Sequence, residues 1–546
     1  MFEKLRKLLA IAGVLLLGNV RADAQENLSA LLPLPNRIRT VETSGDFFLS
    51  SRTSIYIDSV SLTFEAFELQ RILQARMGLS PEIVPVREQA SILLCVDSSL
   101  TGREHYVLDV SSGKLAITGS TSEAVFRGLM TLDQLLLGDV CRTVRRQIAP
   151  VYIEDEPRFA YRALMLDPAR HFLPVKDVKF FIDQMARYKY NVLQLHLTDD
   201  QGWRIEIKKY PALTRIGARR NPETGSQGPD NGFYTQDQLK ELVRYAADRH
   251  IEIIPELDIP GHTVAVLSAY PGLGCTTTDT LPKVMGKTEN LMLCAAHEKV
   301  YTLYRDILAE VASLFPSEWI HLGGDEAAVS HNWLKCDRCR ALMKKRNYTE
   351  AGELMNYFFG KILPDVRKNG KKAILWCELD RIAPPAHDYL FPYPSDVTLV
   401  SWRYGLTPLC LDLTAKSGNK LIMAPGEYAY LDYPQWKGDL PEFNNWGMPL
   451  TSLETCYRFD PGYGKPLAEQ THILGITGTL WGEAMKDINR VTYMAYPRAL
   501  ALAEAGWTRM EFRDWDSFKV RLYPNLFDLI KQGVSVRVPF EIVSRP

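Results

Sequence analysis

The stretch QDQLKELVRYAADRHIEIIPELD, residues 236–258, joins an amphipathic helical segment directly to a short apolar run. The helical segment covers residues 236–250, and IEIIPELD follows at 251–258 and ends in a carboxylate. The run is apolar almost throughout rather than at alternate positions, which is typical of a strand in a parallel sheet that helices cover on both faces. The stretch therefore predicts one repeating unit of an α/β protein.

The same unit recurs along the chain from about residue 161. Helical segments are predicted at residues 176–188, 236–250, 298–315, 353–368 and 489–506. Strand candidates begin near Ala163, Val192, Ile251, Trp319, Ala373, Val397, Lys420 and Ile473. Eight such strands predict a closed (β/α)8 TIM barrel, and a doubly wound open sheet is the alternative.

Segments outside this repeat predict the remaining domains. From about Leu31 to Pro150 short strand-like runs surround two helical pieces, which predicts a small α+β domain without a catalytic cluster. The last residues predict a helix at about 518–532 and a terminal strand. The expected organisation is a signal peptide at 1–24, an N-terminal α+β domain at 25–155, a catalytic barrel at 156–510 and a short C-terminal extension at 511–546.

The first residues have the form of a secretory signal peptide. Basic residues at positions 4, 6 and 7 precede an apolar run at 8–20, and small residues stand at Ala22 and Ala24. This pattern predicts export with cleavage after Ala24, to the periplasm, the cell surface or the medium. A membrane anchor is the alternative, but the apolar run is short for a bilayer, and no membrane span is expected after cleavage.

The composition is that of a folded globular protein of two or more domains. The 546 residues are 46% hydrophobic and 24% charged, and the formal net charge is -1. There is no stripe of Lys and Arg with interleaved aromatic residues, so nucleic acid is not expected as a partner.

The nine cysteines leave at least one thiol unpaired within the chain. Cys275 and Cys294 flank one loop, and in an exported protein they could form a disulfide. Cys336 and Cys339 form a C-x-x-C, which suggests a redox or zinc site, but without a second ligand pair the pattern is weak. The favoured interpretation of this motif is a disulfide that closes a loop, or two thiols without a special role.

Most strand candidates finish in residues with chemical character. A barrel collects these ends at one mouth, whereas an open sheet would spread them out. The residues are Asp167 to Arg170, Asp199 and Asp200, Asp258 to His262, Asp325 and Glu326, Trp376, Trp402, Tyr430 and Asp432, and Trp481 and Glu483. Their joint placement favours the barrel and a single shared site.

The residue types at these ends are those of a carbohydrate site. Trp and Tyr rings offer apolar faces to a sugar, and Asp, Glu and Arg bind its hydroxyl groups through charge-assisted hydrogen bonds. A metal site is the alternative, since His321 and Asp325 share one strand face. However, His262 is the only other imidazole at a predicted strand end, and no H-x-x-x-H pattern occurs. No metal and no cofactor are therefore expected.

Asp325 and Glu326 end the segment WIHLGGDE, residues 319–326, which predicts a short buried strand. Burying unpaired charges there is costly, so the pair favours a role in acid–base chemistry. Neighbouring side chains of an extended segment leave on opposite faces, and the two carboxylates are not expected to face each other.

Six segments together closely resemble family 20 glycoside hydrolases, the β-N-acetylhexosaminidases. They are LDPARHF, NVLQLHLTDDQGWRIEIKKYP, GFYTQDQLKELVRYAADRHIEIIPELDIPGH, HLGGDE, APGEYAYLD and GTLWGE, in order between Tyr161 and about Thr508. The preceding α+β domain is also typical of that family. The resemblance implies an exo-acting, retaining enzyme that removes terminal β-linked GlcNAc or GalNAc from oligosaccharides or glycoconjugates.

The resemblance also implies a role for each site residue. Glu326 is the general acid and then the base, and Asp325 accepts the acetamido N–H of the substrate, whose carbonyl oxygen is the nucleophile that forms an oxazolinium intermediate. Tyr430 donates to that oxygen, and Asp199 and His262 form a relay behind Glu326. The sugar-binding residues that it implies are Arg170, fixed by Asp167, with Asp432, Glu483, Trp376, Trp402 and Trp481.

The substrate beyond the terminal sugar stays open. The loop 225–232 and the segment 427–446 are candidates for outer subsites, and Trp436 or Trp446 could stack on a sugar or simply pack. A deeper cleft would permit release of a disaccharide, as in lacto-N-biosidases. A glycan-binding protein without catalysis is the other alternative, but it would need a changed catalytic residue, and none is changed.

Overall fold

The computed structural model describes residues 28–41, 45–137, 146–219, 231–275, 291–327, 332–350, 352–378, 393–439 and 448–540. The signal peptide expected at 1–24, Trp446 and most of the loop 225–232 lie outside these ranges. Among the described residues, no helix has the length and apolar character needed to cross a bilayer. Contacts divide the chain into two compact units: residues up to 158 with 507–533 and 538–546, and residues 159–506 with 534–537.

The N-terminal unit is an α+β structure, as the sequence predicts. Its strands are β1 (Arg37–Thr40), β2 (Phe47–Phe48), β3 (Ser54–Ile57), β4 (Glu82–Ile83), β5 (Ile92–Val96), β6 (Tyr106–Ser111), β7 (Lys114–Gly119), β8 (Gln147–Ile148) and β9 (Val151–Asp155). Seven form a sheet in the order β1-β9-β6-β7-β5-β3-β4, and β2 pairs with β8. Helices α1 (Thr63–Met77) and α2 (Ser122–Leu135) pack on each other, and α2 lies against β6 and β7.

One buried carboxylate joins the distant parts of this unit. Asp155 accepts hydrogen bonds from the Tyr106 hydroxyl and from Trp507 Nε1, each at 2.9 Å. It also accepts from the backbone N–H of Asn36 at 2.9 Å. Because Asp155 is 2% exposed, its charge depends on these donors in place of water.

The second unit is a closed barrel of eight parallel strands. The strands are β10 (Tyr161–Leu166), β11 (Val192–His196), β14 (Glu252–Glu256), β15 (Trp319–His321), β16 (Lys372–Trp376), β17 (Thr398–Ser401), β18 (Leu421–Met423) and β19 (Ile473–Leu480). A small antiparallel pair, β12 (Thr198–Asp199) and β13 (Gly202–Trp203), follows β11. The eight predicted strands are confirmed, and the open sheet is excluded.

Pairing of β10 with β19 closes the barrel. Tyr161 is opposite Gly475 in this pair, and the two backbones approach so closely that a Cβ atom at Gly475 would lie 1.7 Å from the Tyr161 carbonyl oxygen. Glycine is therefore required at this point of the seam.

Helices surround the barrel. They are α3 (Val175–Arg187), α4 (Ala212–Arg215), α5 (Gln236–Ala247), α6 (Val264–Ala269), α7 (Glu298–Leu314), α8 (Asp337–Arg346), α9 (Gly352–Lys368), α10 (Thr407–Ser417), α11 (Leu453–Tyr457), α12 (Ile488–Ala495) and α13 (Arg498–Trp507). Helix α5 begins at a capping box in which Thr235 and Gln238 satisfy each other's backbone N–H groups.

The helix predicted at 489–506 is two helices, α12 and α13. Tyr496 between them has an extended backbone, with φ -103° and ψ 133°. Proline disfavours the helical conformation of the residue before it, and Pro497 then suits the start of the next helix. The periodicity of apolar residues continues across the break, which is why the pattern alone predicts one helix.

The C-terminal extension forms helix α14 (Trp515–Lys531), which belongs to the N-terminal unit. Asn525 Nδ2 donates to the carbonyl oxygen of Ala30 at 2.7 Å, and Arg521 donates to that of Leu31 at 2.8 Å. The predicted terminal strand is not found among the described residues up to 540. Arg537 there makes a single backbone hydrogen bond to Tyr496 rather than joining a strand ladder.

Replacing Asp155 by Ala is expected to lower the free energy of unfolding by about 3 kcal/mol, because the side-chain donors of Tyr106, Trp507 and Asn36 lose their buried acceptor. Thermal or denaturant unfolding of the full chain measures this change. Glu154→Ala is the matched control on the same strand, since it removes partly exposed contacts with Arg37 and His105 and is expected to cost less than about 1 kcal/mol. Equal losses in both variants would contradict the anchoring role of Asp155.

Candidate active site

The carboxyl ends of the barrel strands surround a cavity of about 450 Å³. Most of the predicted site residues line it, whereas Asp167, Asp199 and Trp376 are buried behind the lining. The lining side chains are Arg170, His262, Asp325, Glu326, Trp402, Arg403, Tyr404, Leu406, Tyr430, Asp432, Tyr433, Met448, Trp481 and Glu483. Carboxylates, guanidinium groups and aromatic rings thus share one cavity, as a carbohydrate site requires.

Asp325 and Glu326 lie in different environments. The side chain of Asp325 is 10% exposed, and that of Glu326 is 54% exposed. The strand before them ends at His321, so the prediction of a strand through residue 326 is wrong. The backbone instead passes through left-handed conformations at Gly323, at Gly324 and at Glu326, where φ is +48°. This turn, rather than strand alternation, separates the two carboxylates.

Asp258 lies directly against this turn. Its Oδ1 atom accepts the N–H of Gly324 at 3.2 Å, and a Cβ atom at Gly323 would lie 1.8 Å from the same oxygen. Burial and the charge of Asp325 raise the pKa of Asp258 well above its usual value, which favours the neutral form that can donate a hydrogen bond. Burial raises the pKa of Asp325 too, while the charge of His262 and the bond from Asp258 oppose that rise.

His262 stands between Asp199 and the carboxylate pair. Its Nδ1 atom lies 3.2 Å from Oδ1 of Asp199, and its Nε2 atom lies 3.7 Å from Glu326 Oε2 and 3.8 Å from Asp325 Oδ2. Burial by itself would lower the pKa of His262, but Asp199 and the other carboxylates raise it well above its usual value. A protonated imidazole therefore faces both carboxylates.

Asp199 is the point where three cationic side chains meet. Its Oδ2 atom lies 2.7 Å from His196 Nε2 and 2.9 Å from the Arg170 guanidinium, and its Oδ1 atom accepts the N–H of Asp200 at 2.6 Å. Burial opposes ionisation of Asp199, but Arg170 and His262 hold its pKa well below the usual range. The carboxylate is therefore ionised although no water reaches it.

Beyond Asp199, negatively and positively charged side chains continue to alternate into the barrel. Nδ1 of His196 lies 2.9 Å from Oε2 of Glu256, which also accepts from Gln194 Nε2 at 2.7 Å. Trp376 Nε1 donates to the other Glu256 oxygen at 2.8 Å. Burial opposes ionisation of Glu256, yet its imidazole neighbours and hydrogen bonds lower its pKa to about 2. His196 is correspondingly protonated, with a pKa well above its usual value despite burial.

Sequence reasoning missed Glu256 and His196. The statement that His262 is the only imidazole at a strand end besides His321 is wrong, because β11 ends at His196. His196 and Glu256 are the last residues of their strands, in the segments LQLHLTDD and IEIIPELD. Their place at strand ends is the sequence signal that could have identified them. His321 differs from His196: its Nδ1 atom accepts the Gly323 N–H at 3.0 Å, and burial lowers its pKa to about 4, so the ring is neutral.

Asp167 fixes Arg170 at the opposite side of the cavity. Its Oδ2 atom accepts from the Arg170 guanidinium at 3.0 Å and from the N–H of Gly482 at 2.8 Å. The guanidinium lies 4.9 Å over the Trp481 ring and 3.9 Å from a Glu483 oxygen. The β10 and β19 ends are thereby joined around one cation, which presents its remaining surface to the cavity.

Aromatic rings form a continuous wall. Trp402 and Tyr430 are stacked, with ring centroids 6.5 Å apart and planes inclined by 15°. Trp481 lies 6.5 Å from Tyr430, and Tyr433 lies 5.1 Å from it. Met448 packs in the same cluster. Tyr433 and Met448 were missed because nothing in the sequence separates them from ordinary packing residues.

Some buried polar atoms of the cavity-lining residues have no hydrogen-bond partner among the described residues. Among them are Asp325 Oδ1, Asp432 Oδ1 and Trp402 Nε1. Buried polar groups in folded proteins are normally satisfied, so two acceptors and one donor here are free for a polar ligand.

Two fully buried arginines hold the loops that carry the site. Arg498 donates to the carbonyl oxygens of Leu431 at 2.5 Å and Tyr433 at 2.9 Å, on either side of Asp432. Arg204 donates to the carbonyl oxygens of Pro168 and Ala169, both at 2.9 Å, in the loop that leads to Arg170. Both guanidinium groups act on backbone rather than on the cavity, so they are positioning residues.

Glu378 and Arg403 form a pair beside the cavity that the sequence analysis did not single out. Glu378 Oε2 accepts from Arg403 at 2.7 Å, and the carboxyl is 4% exposed. Burial raises the pKa of Glu378 to about 7, Arg403 opposes the rise, and Asp325 and Glu326 add to it. Arg403 itself lines the cavity and lies 4.3 Å over the Trp402 ring.

Trp436, a candidate for an outer subsite, does not line this cavity. The residue is 38% exposed, and its ring lies 5.8 Å from the Arg537 guanidinium. The stacking role suggested for this residue therefore gains no support from its position.

The chain matches "Glycosyl hydrolase family 20, catalytic domain" over residues 159–510 and "Glycosyl hydrolase family 20, domain 2" over residues 28–156. It is 40% identical over 419 residues to the beta-hexosaminidase of Akkermansia muciniphila, which covers 76% of this chain and 82% of that protein.

Two solved structures are similar over nearly the whole chain. One is the exo beta-N-acetylglucosaminidase of Vibrio harveyi in complex with N-acetylglucosamine, with a TM-score of 0.82, 30% identity and coverage of 96% of this chain and 80% of that chain. The other is a mutant beta-hexosaminidase of Streptomyces plicatus in complex with product GlcNAc, with a TM-score of 0.80, 30% identity and coverage of 93% and 96%.

Asp199→Asn is expected to lower the pKa of His262 by about one unit or more, because the facing negative charge is what raises it. Imidazole resonances followed by NMR as a function of pH measure the change. The control is Asp306→Asn. Asp306 lies on helix α7 and its carboxylate pairs with Lys209, so its replacement should leave the His262 titration unchanged. An unchanged titration in Asp199→Asn would contradict the charge assignment.

Proposed function

The chain belongs to glycosyl hydrolase family 20 and is a β-N-acetylhexosaminidase, and we propose that it removes terminal sugars with retention by using the substrate's acetamido group as the nucleophile. An ordinary retaining glycosidase needs a protein carboxylate as nucleophile, about 5–5.5 Å from its acid, whereas family 20 is an exception in which the substrate assists. The observation that carries the proposal is the unequal pair, a buried Asp325 beside an exposed Glu326.

Glu326 is placed for proton transfer at the glycosidic oxygen. Its side chain is exposed toward the cavity, where a leaving group departs and water later enters. In the first step Glu326 donates its proton to the leaving oxygen while the acetamido carbonyl oxygen bonds to the anomeric carbon. In the second step Glu326 takes a proton from water, which opens the oxazolinium ring. Two inversions at the anomeric carbon give net retention.

Asp325 acts on the acetamide rather than on the leaving group. Its buried Oδ1 atom has no partner among the described residues and is free to accept the acetamido N–H. An ionised Asp325 stabilises the positive charge that develops as the oxazolinium ring forms, and a fixed, desolvated carboxylate does so without reorganisation. The positive His262 and the hydrogen bond from neutral Asp258 favour that ionised form.

Tyr430 and the aromatic wall complete the acetamide pocket. Tyr430 stacks on Trp402 and lies next to Trp481, and its hydroxyl is assigned to the acetamido carbonyl oxygen, which it holds near the anomeric carbon. Trp376 lies against Trp481 at 5.6 Å and closes the floor. The apolar rings exclude water until the leaving group has departed, which protects the intermediate from premature opening.

Charged residues bind the hydroxyl groups of the terminal sugar. Arg170 is assigned to the O3 and O4 side, and Asp432 and Glu483 to O4 and O6. Asp432 Oδ1 is buried without a partner among the described residues, which supports its role as an acceptor for a hydroxyl group. A pocket that ends in such charges favours recognition of one terminal residue, the exo mode of action.

Asp199 and His262 act through Glu326 as positioning residues. The His262 imidazolium lies 3.7 Å from a Glu326 oxygen and orients that side chain by charge attraction. The substrates we propose are oligosaccharides or glycoconjugates that end in β-linked N-acetylhexosamine, with GlcNAc favoured by the GlcNAc complexes of the two similar structures. Export of the chain follows only from its N-terminal sequence pattern.

Paired aryl β-glycosides test the function directly. One carries an N-acetyl group at C2 and its counterpart a hydroxyl group, and purified protein is assayed without added metal. We expect strong hydrolysis of the first and essentially none of the second, because only the first brings its own nucleophile. Comparable rates on both would mean that the protein supplies a nucleophile, and the role given to Asp325 would be abandoned.

Two variants separate the roles of the adjacent carboxylates through leaving-group dependence. Glu326→Gln is expected to lower kcat/KM by about 10²–10⁴-fold on substrates with a sugar or alkyl leaving group and far less on an activated aryl substrate. Asp325→Asn is expected to lose about 10²–10³-fold on both, because the acetamide participates whatever the leaving group.

The control for these variants is Asp237→Asn, an exposed carboxylate on helix α5, which should keep wild-type rates. Circular dichroism establishes that each variant is folded. The same leaving-group dependence in both catalytic variants would contradict the division of labour between Asp325 and Glu326.

A further inference from the structure

Four cysteines that the sequence separates into two pairs meet in one cluster. Cys275 and Cys294 lie in the chain that follows β14, and Cys336 and Cys339 lie at the start of helix α8, after the turn of Asp325. All four sulfur atoms lie within 4.8 Å of one another. The C-x-x-C motif therefore has the second ligand pair whose absence made it a weak signal in the sequence.

The distances between these sulfur atoms are those of a metal site. They are 3.8 Å for Cys275 and Cys339, 3.9 Å for Cys294 and Cys336, and 3.7 Å for Cys294 and Cys339. Four thiolates at about 2.3 Å from a zinc ion stand about 3.8 Å apart at the corners of a tetrahedron. Sulfur atoms in a disulfide are about 2.05 Å apart, so the three distances have the spacing of zinc ligands rather than of bonded pairs.

The surroundings suit thiolates. Cys294, Cys336 and Cys339 are buried. Cys336 is the N-cap of helix α8, whose dipole favours negative charge at that end. Arg338 lies between the two C-x-x-C cysteines in sequence, donates to the Gly274 carbonyl oxygen at 2.7 Å, and brings a positive charge to the cluster. A four-thiolate zinc centre carries a net charge of about -2, which this guanidinium and the helix end offset.

We propose that Cys275, Cys294, Cys336 and Cys339 bind one structural zinc ion. Four protein ligands leave no open position, which is the arrangement of a structural rather than a catalytic zinc site. The ion takes no part in hydrolysis. It would cross-link the loop that follows β14 to the segment that follows β15.

These two segments carry the central residues of the active site. The N–H of Leu293, next to Cys294, donates to the carbonyl oxygen of Pro260 at 3.1 Å, two residues before His262. Trp333 Nε1, three residues before Cys336, donates to the Leu293 carbonyl oxygen at 2.8 Å. Through these two hydrogen bonds the cluster supports the loop that carries His262. The zinc ion would therefore fix the distance between His262 and Glu326.

The experiment measures zinc and thiols in the same sample of the full chain, purified without chelator from a zinc-supplemented culture. Elemental analysis is expected to give one zinc ion per chain, and the denatured, unreduced protein is expected to have the mass of the fully reduced chain. Exchange of zinc for Co²⁺ should give the intense thiolate-to-cobalt charge-transfer absorption of tetrahedral sulfur ligation. Absence of bound metal after anaerobic reconstitution of the reduced protein, or a mass lower by two disulfides, would overturn the proposal.

Variants assign the metal to this cluster. Cys339→Ser is expected to lose the zinc ion, while Cys336→His should retain it because imidazole is also a zinc ligand. Cys95→Ser, which removes a buried thiol of the N-terminal unit, is the matched control and should keep one zinc ion. If Cys339→Ser does not fold, the cobalt spectrum of the wild-type protein and the zinc content of Cys336→His still test whether this cluster binds the metal. Zinc retained in a folded Cys339→Ser variant, or lost in Cys95→Ser, would contradict the assignment.

Discussion

The site depends on one constraint, the ionised state of Asp199 in a place that water does not reach. A buried carboxylate is stable only if cations and donors replace its hydration, and Asp199 has Arg170, His196 and His262 within 3.2 Å. Each cation in turn needs a second anion, which Asp167 and Glu256 supply to Arg170 and His196. The ends of β10, β11 and β14 are thereby held by one set of alternating charges, and removing any member takes a counter-charge away from a buried neighbour.

The sequence predicts the barrel because its physical causes are local. Buried parallel strands are apolar on both faces, their helices carry one apolar stripe, and the alternation of the two is visible in residues such as those of 236–258. The placement of the site follows from the same pattern, since polar residues after apolar strands must meet at the mouth once the barrel closes. The split between α12 and α13 was hidden because apolar periodicity continues across Pro497, although the proline itself was visible.

The partners of the site residues could not be predicted in the same way. Glu256 and Asp258 belong to one short run, yet their pKa values shift in opposite directions. Neighbouring imidazoles lower the pKa of Glu256 to about 2, whereas burial and the charge of Asp325 raise that of Asp258 well above its usual value. Such opposite states depend on neighbours more than fifty positions away in the chain. The cysteine cluster was missed for the same reason: Cys275 and Cys339 lie 64 positions apart and meet only in the folded barrel.

The pair of Glu378 and Arg403 gives the mouth of the cavity a charge that varies with pH. Because the pKa of Glu378 is about 7, its carboxyl is mostly neutral in mildly acidic solution and mostly ionised in mildly alkaline solution. The pair, whose Arg403 lines the cavity, then carries a net positive charge on the acidic side and is neutral on the alkaline side. The net charge of the pair therefore falls by one unit as the medium passes from mildly acidic to mildly alkaline, and this change originates in one buried carboxyl group rather than in a surface patch.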